Sequence, residues 1–183
     1  MNNRNIVLAI LILLIIATLA YYGRNTFFSG KNTSSATNQL QVPSPIATEN
    51  LNKEFSFPIK DSQDKEIGTI KYIIQSVEKR TEIYVKGQPA KALAGKYFLI
   101  FNIKFINQLD QGIKINARDY LRLSVNNSKD WLAPNIHNDP VEVQAISTEN
   151  TRLGFVINTT DKNFTLQVGE IKGKKQTIKI KPF

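Results

Sequence analysis

His137 is the only histidine of the chain, so any acid–base or metal chemistry that needs an imidazole has to use it. Asp139 and Glu142 nearby are proper oxygen ligands for a divalent cation, yet one histidine in an Asn- and Pro-containing loop gives no ligand spacing. A serine nucleophile would need the same histidine as its base, and no Gly-x-Ser-x-Gly elbow exists to present one. Cysteine is absent, which removes thiol nucleophiles, zinc thiolates, disulfides and the lipid-modified cysteine of a bacterial lipoprotein together. Between Gly169 and Gly173 the chain is one residue too short for a phosphate-binding loop, and no Ser or Thr follows Lys174 and Lys175 to hold magnesium. The segment reads as a hairpin turn. Asp61, Asp64 and Glu66 lack the alternating spacing of a calcium loop and read as polar turn residues. The 15 acidic residues are scattered, with no two placed by a motif as the carboxylate pair of a glycan hydrolase would be. The expectation is a protein with no catalytic residue, no metal and no cofactor.

Binding is the remaining chemistry, and two groups of residues are candidates for it. Lys172, Lys174, Lys175, Lys179 and Lys181 form the densest basic stretch, with the last two projecting opposite Ile178 and Ile180. Such a flank suits contact with anionic lipid or an acidic wall polymer, and lysines there also guard a sheet edge against unwanted pairing. Nucleic acid is not expected, because no aromatic residues interleave with these lysines. Trp131, His137 and Asp139 form the second group, in or beside the irregular stretch Leu132 to Asn150. Loops on a rigid scaffold are where binding residues concentrate, although Trp131 reads first as a cap on one end of the core. The net charge of +9 favours polyanionic surroundings.

Three kinds of segment carry these groups. Ile6 to Tyr22 is apolar except for Thr18, follows Arg4, and sits near the lower limit of about 17 to 25 residues for a membrane-spanning helix. Tyr21 and Tyr22 look like interfacial anchors, which favours a retained signal anchor over cleavage after Ala20 and release. A short polar N-terminus ahead of an early apolar stretch stays in the cytoplasm, which predicts a single-pass membrane protein with its body outside. Residues 23–53, rich in Asn, Ser, Thr and Pro, read as a disordered tether. From residue 54 to 183 the texture is short Ile-, Val-, Phe- and Tyr-rich runs between Asn, Asp, Gly and Lys turns.

In Tyr97 to Phe105 the odd-numbered positions are all apolar and share one face, while Asn102 and Lys104 lie on the other. Phe98 and Ile100 make the first half apolar on both faces, which predicts a central strand. Alternation recurs in Ile113–Ala117, Leu121–Val125, Leu153–Ile157, Phe164–Val168 and Ile178–Lys181, and with Ile67–Val77 predicts about seven strands. Turns are expected at Asn126-Asn127 and at Gly169–Gly173. This pattern suggests an all-β, two-sheet sandwich of the immunoglobulin type, with a small barrel as the alternative.

Gly95-Lys96-Tyr97 opening a strand that closes on Asn107, then Asp119-Tyr120-Leu121-Arg122-Leu123, then Leu153-Gly154-Phe155-Val156-Ile157 and a last basic strand resemble the bacterial exported immunoglobulin-like domains of unknown function, related in fold to a mycobacterial immunoprotective extracellular antigen. The resemblance covers roughly Glu66 to the C-terminus, and it implies an exported, membrane-attached module without catalytic residues. The expected function is therefore a non-catalytic, extracytoplasmic binding module for an envelope protein or anionic polymer. A structural subunit of an envelope complex and, far behind it, a glycan-directed hydrolase are the other readings.

Overall fold

The computed structural model describes residues 43–181, so the apolar segment Ile6–Tyr22 and the tether as far as residue 42 lie outside the described residues. No helix among the described residues is long and apolar enough to cross a membrane. The alternating runs form antiparallel strands. One sheet has the order β1 (Ala47–Lys60), β2 (Glu66–Arg80), β5 (Lys96–Asn107), β9 (Ser147–Asn158). A second has the order β11 (Gln176–Lys179), β10 (Thr165–Val168), β7 (Leu121–Ser124). Two short ribbons complete the set, β3 (Glu82–Val85) with β4 (Gln88–Lys91) and β6 (Ile113–Ile115) with β8 (Val141–Val143).

One apolar cluster joins the two larger sheets. Phe55, Tyr72, Phe101, Ile103 and Phe155 come from the four-stranded sheet, and Leu121, Leu123, Leu166 and Val168 from the three-stranded one. Tyr97 to Phe105 behaves as its pattern requires, with Leu99, Phe101, Ile103 and Phe105 fully buried and β5 in the interior of its sheet. Phe98 and Ile100, on the opposite face, form a second buried cluster with Ile83 of β3, against which Ile136 packs. The first half of β5 is thus covered on both sides, as expected of a central strand.

The turns follow their chemistry. Asn126 and Asn127 both have φ of 57°, and the Ser128 N–H donates to the Val125 carbonyl at 3.0 Å, which closes a type I′ turn. Gly169, at φ of 152°, starts the β10–β11 hairpin. A Cβ there would lie 2.3 Å from the Lys174 carbonyl oxygen, so the glycine belongs to the turn and cradles no phosphate. Asp61 Oδ1 accepts the N–H groups of Gln63 and Lys65 at 2.9 and 3.0 Å, closing the β1–β2 turn.

The domain begins earlier than residue 54. β1 starts at Ala47, and the Ile46 N–H already donates to the Lys79 carbonyl. A bulge between Asn50 and Lys53, with Asn52 at φ of 47°, breaks the alternation that would have revealed the strand. β3 and β4 were also not anticipated, because Pro89 disguises a hairpin turned by Lys86-Gly87. Residues 132–150 are less irregular than expected, for they include β8 and the first residues of β9. A fragment starting at residue 43 should therefore unfold at a higher urea midpoint, read by circular dichroism, than one starting at residue 54. The shorter fragment lacks the rungs from Ala47–Lys79 to Asn50–Ser76, each worth about 0.5–1.5 kcal/mol. Equal midpoints would show that this part of β1 contributes nothing.

Candidate binding surfaces

The outer face of the four-stranded sheet carries a hollow built by three strands and two covering segments. Register places Ser76, Asn102 and Arg152 side by side across β2, β5 and β9. A bulge between Ile74 and Ser76 sets Gln75 at the rim, and Asn138, Asn150 and Thr151 complete the polar lining around about 390 Å³. Asn102 donates to Ser76 Oγ and to Glu78 Oε1, both at 2.9 Å, so its own amide oxygen is what it has left to offer. Glu78 is held in turn by Arg80 at 2.6 Å, whereas Arg152 makes no ion pair among the described residues.

Beside this polar part, and sharing Asn138 and Arg152 with it, lies an apolar cleft of about 110 Å³ between the β3–β4 hairpin and the loop at Asn135–Asn138. Ile83, Tyr84, Ile100 and Ile136 form its walls. Gly154 makes this arrangement possible. Its N–H donates to the Ile136 carbonyl at 2.8 Å and its carbonyl accepts from Ile136 at 3.1 Å, which staples the loop to the edge of β9. A Cβ at Gly154 would come within 2.6 Å of Ile100 and 3.0 Å of Ile136, so a side chain there would push the loop away.

The loop candidates separate. His137 lines the apolar cleft, with its Nε2 3.0 Å from an Arg118 guanidinium nitrogen and its Nδ1 3.4 Å from Asp139 Oδ2. Since arginine can only donate, Nε2 accepts from Arg118, while Nδ1 lies 3.4 Å from the Asp139 backbone N–H as well as from its carboxylate. Asp139 is spent on structure: its carboxylate accepts the N–H groups of Ala117 at 2.7 Å and Arg118 at 3.0 Å, the start of the short 3-10 helix Ala117–Tyr120, and its side chain is 5% exposed. It is not open to a ligand. Trp131 lies elsewhere, half exposed in a hollow on the three-stranded sheet with Arg122, Gln167 and Lys175.

Lys172, Lys174, Lys175, Lys179 and Lys181 are all exposed, and Ile178 and Ile180 face inward between them as the alternation requires. β11 is an edge strand with Lys179 on it, Lys172, Lys174 and Lys175 in the turn before it and Lys181 just beyond, so the lysines line a rim of the sandwich. Near its tip a wider cleft of about 560 Å³ mixes charges. Lys60 is paired to Asp64 at 3.0 Å and Lys114 to Glu142 at 2.7 Å, while Asp119 and Glu170 face Tyr120. Burial raises the Tyr120 phenol above its usual pKa, and the two acids add to this. At the other end of the sandwich Asp161 ties two loops. Burial disfavours its charge, but hydrogen bonds from the Asn158 backbone and side chain and from Asn126 outweigh that and hold the carboxyl below its ordinary pKa.

The hollow was missed in the sequence because its residues come from separate strands with no spacing in common. The one readable sign was the glycine inside Leu153-Gly154-Phe155, which marks a close approach.

No protein-family model matches the chain, and no curated protein does. Among solved structures, an uncharacterized β-sandwich protein from Clostridium difficile 630 matches with a TM-score of 0.52 at 14% identity, covering 76% of this chain and all of that one. A conserved hypothetical protein from Bacillus anthracis matches with a TM-score of 0.45 at 14% identity, covering 69% of this chain and 97% of the other. The first likeness is one of fold, and the fold is the β-sandwich.

Proposed function

We propose that the chain is a membrane-tethered, extracytoplasmic binding module of the immunoglobulin-like type in a bacterial envelope, without catalysis of its own. The observation that carries the binding role is the second layer on the outer face of the four-stranded sheet. A sandwich needs only its inner faces buried, yet here a hairpin and a stapled loop are spent on walling a hollow that holds an unpaired arginine. The tether rests on Ile6–Tyr22 and the polar residues after Gly23, and the lysine rim of β11 adds a flank suited to an acidic polymer or anionic headgroups.

Topology tests the placement. The full chain should stay in the membrane fraction with its N-terminus intact, and protease added to spheroplasts should remove the body. A mature chain beginning at Tyr21 would mean signal cleavage and release. Protection in spheroplasts with digestion in inverted vesicles would place the body in the cytoplasm and overturn the reading.

A further inference from the structure

We infer that the hollow on the outer face of the four-stranded sheet takes one acidic pyranose unit of a glycan, with its carboxylate on Arg152 and the apolar face of its ring toward Tyr84 and Ile136. This rests on the binding role proposed above and adds the class of ligand.

Three properties of the hollow select that chemistry. The first is charge. Arg152 lies in the wall common to the polar and apolar parts and has no acidic partner among the described residues. Lys104, opposite Asn150 two rungs along β5 and β9, lies on the same outer face and adds to the positive field. Glu78, which accepts from Asn102 on that face, is neutralised by Arg80. A planar guanidinium free of partners pairs best with a carboxylate, which it can meet through two parallel hydrogen bonds.

The second property is the amide lining. Gln75, Asn138 and Asn150 each present both donors and an acceptor, and Asn102 presents an acceptor alone because its N–H groups are committed to Ser76 and Glu78. Neutral amides that both give and take hydrogen bonds match sugar hydroxyls, each of which does the same. The third is the step from polar to apolar across Arg152, where Ile83, Tyr84 and Ile136 line the apolar cleft. A pyranose is amphipathic in the same sense, with hydroxyls around its rim and C–H groups on its face. A linear polyol phosphate has the anion and the hydroxyls but no such face. The polar part, about 390 Å³, is of the size that holds small ligands, about 300–1,000 Å³.

The test uses the full chain in a neutral detergent and three probes followed by ligand-observed NMR titration: methyl β-D-glucuronide, methyl β-D-glucoside and glycerol phosphate. The two glycosides differ only in a carboxylate at C6. The glucuronide should bind at least about tenfold more tightly than the other two, with a dissociation constant on the order of 1 mM for a single residue. Arg152→Gln should remove that preference and Tyr84→Ala should weaken the glucuronide at least about fivefold, the range of a lost stacking contact. Lys129→Gln, exposed in the loop after β7, should change nothing. Arg152 is exposed, so its variant should keep the melting temperature of the parent. Equal binding of glucuronide and glucoside, glucuronide binding untouched by Arg152→Gln, or no binding of any probe at 20 mM, roughly twentyfold above that constant, overturns the inference. Glycerol phosphate binding as well as the glucuronide overturns the role of the ring face. None of these outcomes bears on the protease result, which stands or falls separately.

Discussion

Replacing Phe101 with alanine should cost about 3–5 kcal/mol of stability, the usual range for emptying a buried aromatic site. Phe101 is fully buried in the middle of β5, and its ring meets Phe155 of the neighbouring strand edge-on, with centroids 5.8 Å apart and planes at 87°. Removing it takes away both the transfer free energy of the ring and that aromatic contact. Tyr97 to Phe105 is flanked by β2 and β9 and faced by the other sheet, so the frame around the void cannot easily collapse. Urea denaturation followed by far-ultraviolet circular dichroism measures the loss. A value below about 1 kcal/mol would mean that this face of β5 is not the inner one.

Asn107→Asp should be comparably damaging at neutral pH although it changes no shape. Asn107 closes β5 and is 1% exposed. Its Nδ2 donates to the carbonyls of Gln111 and Gln144 at 2.8 Å and of Val143 at 3.4 Å, while its Oδ1 accepts the Leu109 N–H at 3.0 Å. A carboxylate would turn an acceptor toward three carbonyl oxygens, leaving them unsatisfied and a charge buried, at a cost of about 3–5 kcal/mol. Such a group is driven to take up a proton, so its folded pKa would lie above the unfolded value of about 3.9. A raised acid pKa destabilises above the unfolded value, and the penalty is relieved as pH falls through the folded one. The gap between variant and parent should therefore be wide at pH 7 and narrower at pH 4, because a protonated carboxyl can again donate. A gap of the same width at both pH values would show that the side chain swings out to water instead.

What could be read in the chain was what repeats at short range. The parity of Tyr97 to Phe105 identified the inner face and the central position of β5, and Asn126-Asn127 marked a turn that needs two left-handed residues. The alternation of isoleucine and lysine at Ile178–Lys181 gave the orientation of the basic rim. The single extra residues in β1 and at Gln75 hide pattern by shifting parity, and Pro58 and Pro89 suppress strand signals at positions where a missing N–H is tolerated. Asp139 looked like a ligand because its partners, Ala117 and Arg118, lie about twenty positions away and only folding brings them together. The hollow around Arg152 is illegible for the same reason, since its register across β2, β5 and β9 depends on which strands become neighbours.

The position of Trp131 governs what light can report about this protein. Tyr72, Phe101, Phe105 and Phe155 are sealed in the interior, but the chain's one indole stands 39% exposed on the outer side of the three-stranded sheet, beside Arg122 and Lys175. Its emission already comes from a ring in contact with water, so melting the core changes its surroundings little. The same fluorescence becomes a built-in label for whatever approaches that basic face, and blind to anything that enters the hollow on the opposite sheet. Emission quenched by an acidic polymer but unmoved by a bound sugar would assign two ligands to two faces without any added dye.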